Sequence, residues 1–120
     1  MTSNKGIYQK NVLILGFGRI GQAVAKRCLG FEMNVYVYDP FVSKDTIEKM
    51  GCHSILIEDG FKLADFISVH LPLNDETKNL INAKNFQEMK DSCIIVNTAR
   101  GGTARAEHTL SLHRLAVVAF

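Results

Sequence analysis

The chain has 120 residues, 47% of them hydrophobic and 22% charged, with a formal net charge of +2 at pH 7. This is enough for one small domain with a real core, and the composition excludes disorder, collagen-like repeats and coiled coils. The small, evenly spread charge implies no nucleic-acid and no membrane partner, and no apolar run is long enough to cross a bilayer.

The first ten residues are polar and lack the apolar core and small-residue cleavage site of a signal peptide. Cys28, Cys52 and Cys93 are odd in number, far apart and without a Cys-x-x-Cys. Reduced thiols in a cytoplasmic protein fit that pattern better than a disulfide framework or a zinc site. No metal site is expected.

The first structural signal is the run Val12-Leu13-Ile14-Leu15, read as a strand. Gly16-Phe17-Gly18-Arg19-Ile20-Gly21 follows at once and opens a helix at residues 20–31, with Ile20, Val24 and Cys28 expected on its buried face. Strand, G-x-G-x-x-G, helix is the context of a dinucleotide-binding turn. Gly16 serves the tight turn, Gly18 lets a diphosphate approach the backbone, and Gly21 lets the helix pack closely. The helix amides then face the anion. Arg19 is expected on the diphosphate, because a cation at a helix N-terminus is unfavourable without one.

A second strand at residues 35–38 ends at Asp39-Pro40, 18 residues beyond Gly21. A carboxylate there accepts hydrogen bonds from the adenosine ribose and repels a 2′-phosphate, which favours NAD over NADP. A turn begun by Asp-Pro is the structural alternative. A short helix is expected at residues 45–50, capped by Asp45-x-x-Glu48. A third strand falls at 66–69, then a helix at 83–90 with Asn82 as its cap and Phe86 and Met89 turned inward, and a fourth strand at 94–96. Continuous apolar strands between helices predict an α/β fold, a Rossmann-type doubly wound parallel sheet in a single domain. Residues 103–120 depart from this pattern and hold one more helix and a strand stub near 117–120, so the sheet is expected to be incomplete at its C-terminal end.

Three segments carry a resemblance: Phe66-Ile-Ser-Val-His-Leu-Pro-Leu-Asn-Asp-Glu-Thr-Lys-Asn-Leu-Ile81, then Phe86-x-x-Met89-Lys90, then Val96-Asn-Thr-Ala-Arg-Gly-Gly102. Over residues 10–102 the chain resembles the cofactor domain of the D-isomer-specific 2-hydroxyacid dehydrogenases. The resemblance implies NAD(H) as cofactor and a small 2-hydroxy or 2-keto acid as the substrate of the full-length family. It implies that Arg19 and Ile20 contact the diphosphate, that Asp39 is the ribose acid, and that His70, Leu71 and Pro72 line the adenosine side. Thr98, Ala99 and Arg100 then approach the nicotinamide, and Arg100 corresponds to the arginine that pairs with the substrate carboxylate, a role that suits the guanidinium fork. His70 also fits a half-buried histidine satisfied by the fold.

The family's acid–base pair of glutamate and histidine, and its substrate domain, have no counterpart in this sequence. Glu107, His108 and His113 stand too near Arg100 for that role and read as a solvated helix face. Hydroxyl oxidation needs a general base, so the chain alone is expected to be catalytically incomplete. A module that binds NAD(H) without chemistry and a non-functional gene fragment remain as alternatives. A homodimer is possible, since members of the family commonly pair through cofactor domains.

Overall fold

The computed structural model describes residues 9–71 and 87–97, and the backbone of 115–117. Strand β1 (Asn11–Leu15) leads into helix α1 (Arg19–Gly30), β2 (Asn34–Tyr38), α2 (Lys44–Lys49), β3 (His53–Ser54), α3 (Ile57–Leu63), β4 (Phe66–Val69), β5 (Ile94–Asn97) and β6 (Leu115–Val117). The strands are all parallel, in the order β3-β2-β1-β4-β5-β6. The chain moves outward from β1 to β3, then crosses to the other side of β1 for β4. That reversal opens a crevice at the carboxyl ends of β1 and β4.

Side chains alternate across the sheet and build a core layer on each face. Val12, Ile14, Val35 and Val37 pack with Phe17, with Ala25 of α1 and with Ile47 of α2. Leu13, Leu15, Ile67, Val69 and Ile95 pack with Phe61 of α3 and with Met89. Right-handed crossovers explain the division, because strands added in opposite directions place their helices on opposite faces.

The four apolar runs are the four inner strands. Of the two edge strands, β6 is apolar in sequence, Leu-Ala-Val, whereas β3 carries no such run. His53–Ser54 is polar and two residues long, and it was not expected. β6 lies at Leu115–Val117, two residues before the expected stub. Helix α3 was also unforeseen: seven residues hold too little periodicity, and no side chain caps it.

Two further expectations change. On α1 the buried residues are Gly21 and Ala25, whereas Ile20, expected inward, is 52% exposed. Gly21 sits against the carbonyl of Gly16, and this seating rolls Ile20 away from the sheet. Helix α2 is capped by Ser43, not by Asp45: the Ser43 hydroxyl accepts from the Thr46 amide at 3.1 Å. Residues 87 and 88 are helical and Met89 is buried as expected, while Asn82 and Phe86 lie outside the described residues.

Candidate functional site

The register aligns the strand ends. Leu15 pairs with both Tyr38 and Val69, and Val69 with Asn97, so these four form one row across the sheet. Gly16, Asp39 and His70 each follow a member of that row. The glycine turn, the acid and the histidine therefore leave the same edge of the sheet together.

The three glycines of the turn differ in what the fold asks of them. Gly16 has φ +100°, and a Cβ there would stand 2.8 Å from backbone atoms of His70 and Leu71. A Cβ on Gly21 would collide with the Gly16 carbonyl oxygen. Gly18 is neither left-handed nor crowded: a Cβ built on it meets nothing within 4 Å. The fold needs the first and third glycines, and it leaves an open space over the second.

That space lies at the start of α1, where Gly18 is the N-cap. The helix has no side-chain cap and no acidic residue in its first turn. The first amides of a helix lack intrahelical partners and carry partial positive charge, so this end can accept an anion. Arg19, the first helical residue, is exposed and makes no ion pair among the described residues.

Asp39 is engaged on both carboxylate oxygens. Oδ2 accepts from the Phe17 amide at 2.7 Å, and Oδ1 from the Phe41 amide at 2.8 Å. The second bond makes the segment from Asp39 through exposed Pro40 a turn of the Asx kind. Turn former and strand-end acid are thus the same residue. The neighbouring Tyr38 carbonyl accepts from the Gly16 amide at 2.9 Å.

His70 is half-buried, and its Nε2 lies 2.6 Å from the Ser68 hydroxyl. Burial pushes its pKa below the ordinary 6.5, so the ring is neutral at pH 7. Ser68 was not foreseen, although a lone hydroxyl two residues before a histidine shares its strand face. Leu71, expected along the cleft, sends its side chain into the core and is only 3% exposed; its backbone abuts Gly16. Pro72, Thr98, Ala99, Arg100, Glu107, His108 and His113 lie outside the described residues.

A groove of about 470 Å³ runs along the outer side of α1, lined by Arg19, Ile20, Ala23, Val24 and Arg27. Ile20 therefore belongs to this surface, at the end nearest the glycine turn. Among the described residues no cluster of His, Cys, Asp and Glu could hold a metal ion, and no helix is long and apolar enough to cross a membrane.

Comparison with known proteins gives the same picture from outside. The chain is 46% identical over 93 residues to D-3-phosphoglycerate dehydrogenase of Archaeoglobus fulgidus, covering 78% of this chain and 18% of that enzyme. It is 43% identical over 103 residues to hydroxypyruvate reductase of Thermotoga maritima, covering 86% of this chain and 33% of that one. Among solved structures, D-lactate dehydrogenase of Aquifex aeolicus in complex with NAD and lactic acid superposes with a TM-score of 0.83 at 31% identity, over 97% of this chain and 36% of that chain. The apo D-lactate dehydrogenase of Escherichia coli gives 0.84 at 29% identity, over 94% and 38%. The chain thus spans between 18% and 38% of the length of these four relatives. Residues 1–112 match the D-isomer specific 2-hydroxyacid dehydrogenase NAD-binding domain, and the chain belongs to that family, whose cofactor is NAD.

Proposed function

We propose that the chain is the NAD-binding part of an oxidoreductase acting on D-2-hydroxy acids, with the cofactor lying across the carboxyl edge of the sheet. The diphosphate rests over Gly18 against the first amides of α1, with Arg19 beside it and Ile20 at its margin. Asp39 and Pro40 face the adenosine ribose, and the carboxylate disfavours the extra phosphate of NADP. His70, Leu71 and Pro72 border the adenosine side, Leu71 through its backbone. Thr98, Ala99 and Arg100 approach the nicotinamide end, and Arg100 pairs with the carboxylate of a 2-hydroxy or 2-keto acid. When bound, NAD supplies the hydride acceptor for oxidation of the hydroxyl carbon. The chain's own residues bind and orient; a general base for the hydroxyl proton belongs to the longer enzyme.

In this reading the chain is one domain, it works in the cytoplasm, where its free cysteines stay reduced, and a homodimer would cover the groove along α1 that exposed Ile20 and half-buried Ala23 and Val24 help to line. The observation that carries the nucleotide reading is the open space at Gly18, a glycine that the protein itself does not require. Gly18→Ala should fold with stability unchanged to within about 0.5 kcal/mol, as for a surface change. It should nevertheless lose about tenfold or more in NADH affinity, followed by nicotinamide fluorescence, because the methyl occupies the place of the diphosphate. Unchanged affinity would remove Gly18 from the site.

A further inference from the structure

The end of β2 holds the start of the glycine turn by two successive bonds: the Tyr38 carbonyl takes the Gly16 amide at 2.9 Å, and the Asp39 carboxylate takes the Phe17 amide at 2.7 Å. The rest of the Phe17 peptide is also fixed. Its carbonyl accepts from Gln22 Nε2 at 3.0 Å, and its ring is buried between the sheet and the α1–α2 layer. Phe17 is the residue immediately before Gly18, so its peptide sets where the open space and the first helical amides point. A bond from a carboxylate to an amide is stronger than one between neutral groups, and at 2.7 Å this one is short.

We propose that Asp39 is a positioning residue for the diphosphate site: its carboxylate clamps the Phe17 amide and holds the glycine turn in its anion-accepting form before any ligand arrives. This rests on the nucleotide reading above and adds to it, since a ribose-binding acid need only discriminate between cofactors. Both oxygens already accept amides, and a carboxylate has about four lone-pair sites, so room is left for ribose hydroxyls. Asp39 would then act on both halves of the nucleotide, directly on the ribose and through Phe17 on the diphosphate.

The two roles predict opposite signs. A carboxylate near a diphosphate repels it, so removing the charge should by itself tighten an anionic ligand. Removing the clamp should weaken it. The probe is 2′,3′-dideoxy-ADP, which keeps the adenine and the diphosphate but offers no ribose hydroxyl to Asp39. Asp39→Asn and Asp39→Ala delete the same charge, but asparagine keeps one carbonyl oxygen as an acceptor.

The clamp predicts that the unsubstituted chain binds the probe most tightly, Asp39→Asn less so, and Asp39→Ala weakest by about tenfold, a fall equivalent to the loss of one charge-assisted hydrogen bond. Equal or tighter binding by both variants overturns it. A ligand-free readout accompanies the titration. Hydrogen exchange at the Phe17 amide should be slow in the unsubstituted chain and faster in Asp39→Ala, with the central-strand Ile14 amide still protected as evidence of folding. An unchanged Phe17 amide overturns the clamp. Failure of the unsubstituted chain to bind the probe or ADP, with Phe17 exchange behaving as expected, supports the clamp as part of the fold and overturns the nucleotide reading instead.

Discussion

His70 shows how one side chain can link stability to pH. Burial holds its pKa below 6.5, so between that value and its lower folded value an unfolded chain binds the proton and the folded chain does not. Stability contributed this way is complete above 6.5, declines as the pH falls through the window, and levels off below the folded pKa. His70→Asn should therefore flatten the dependence of the urea midpoint on pH as the pH falls below 6.5. An unaltered slope would mean that other groups carry it. Asp65 acts in a separate and more acidic window. Burial raises its carboxyl, but the Asn11 amide and the Lys90 ammonium outweigh burial and hold it below the ordinary 3.8, so its contribution is present above that pH and lost below it.

At the scale of elements, the sequence spoke clearly where burial was complete and faintly where it was partial. The inner strands are continuous apolar runs because a core layer lies on each face of the sheet, and they could be read to within a residue of their ends. β3 and α3 could not, since a two-residue edge strand and a two-turn helix leave hardly any periodicity. The cap of α2 was missed by two residues because Asp45-x-x-Glu48 and Ser43-x-x-Thr46 compete for one helix start, and the backbone turns in at Ser43. Ser43→Ala should cost about 1 kcal/mol, seen as a lower thermal midpoint, whereas Asp45→Ala should cost less, because its charge only favours the helix dipole. At the site, Gly16, Gly21 and Asp39 were legible from spacing, since each answers a backbone demand, whereas Gly18 answers none in the fold itself. Ser68 and the Phe17 amide were not, because neither their pairing nor the two-oxygen use of Asp39 leaves a mark in residue type.

For the whole molecule, the two ends of the sheet do different work. The carboxyl ends carry the glycine turn, Asp39 and His70, while the amino ends are laced by polar groups around Asp65. Its Oδ2 accepts from the Asn11 amide at 2.8 Å, its Oδ1 lies 3.0 Å from Lys90 Nζ, and its carbonyl takes the Ile94 amide at 3.0 Å, so one residue ties together β1, β4 and the approach to β5. Asp65→Ala should destabilise by about 1–3 kcal/mol, chiefly by leaving the Asn11 amide without its acceptor. Lys90→Ala should cost less than about 1 kcal/mol, since that ammonium is well exposed. NADH affinity should be unchanged in both, because roughly 15 Å of strand separates this lacing from the glycine turn. Denaturant unfolding and cofactor titration of the same variants check the two halves of the claim.

The central place of β1 also affects how the chain is made. β1 is made before the other described strands, yet one of its neighbours, β4, begins only at Phe66, paired with Val12. Until then Leu13 and Leu15, both fully buried in the finished fold, have no β4 beside them and no α3 above them. At roughly 5–20 residues per second the interval between the end of β2 and the arrival of β4 lasts a few seconds. For that time a half-built sheet exposes an open strand edge and an apolar face, the features that make a nascent chain prone to aggregate.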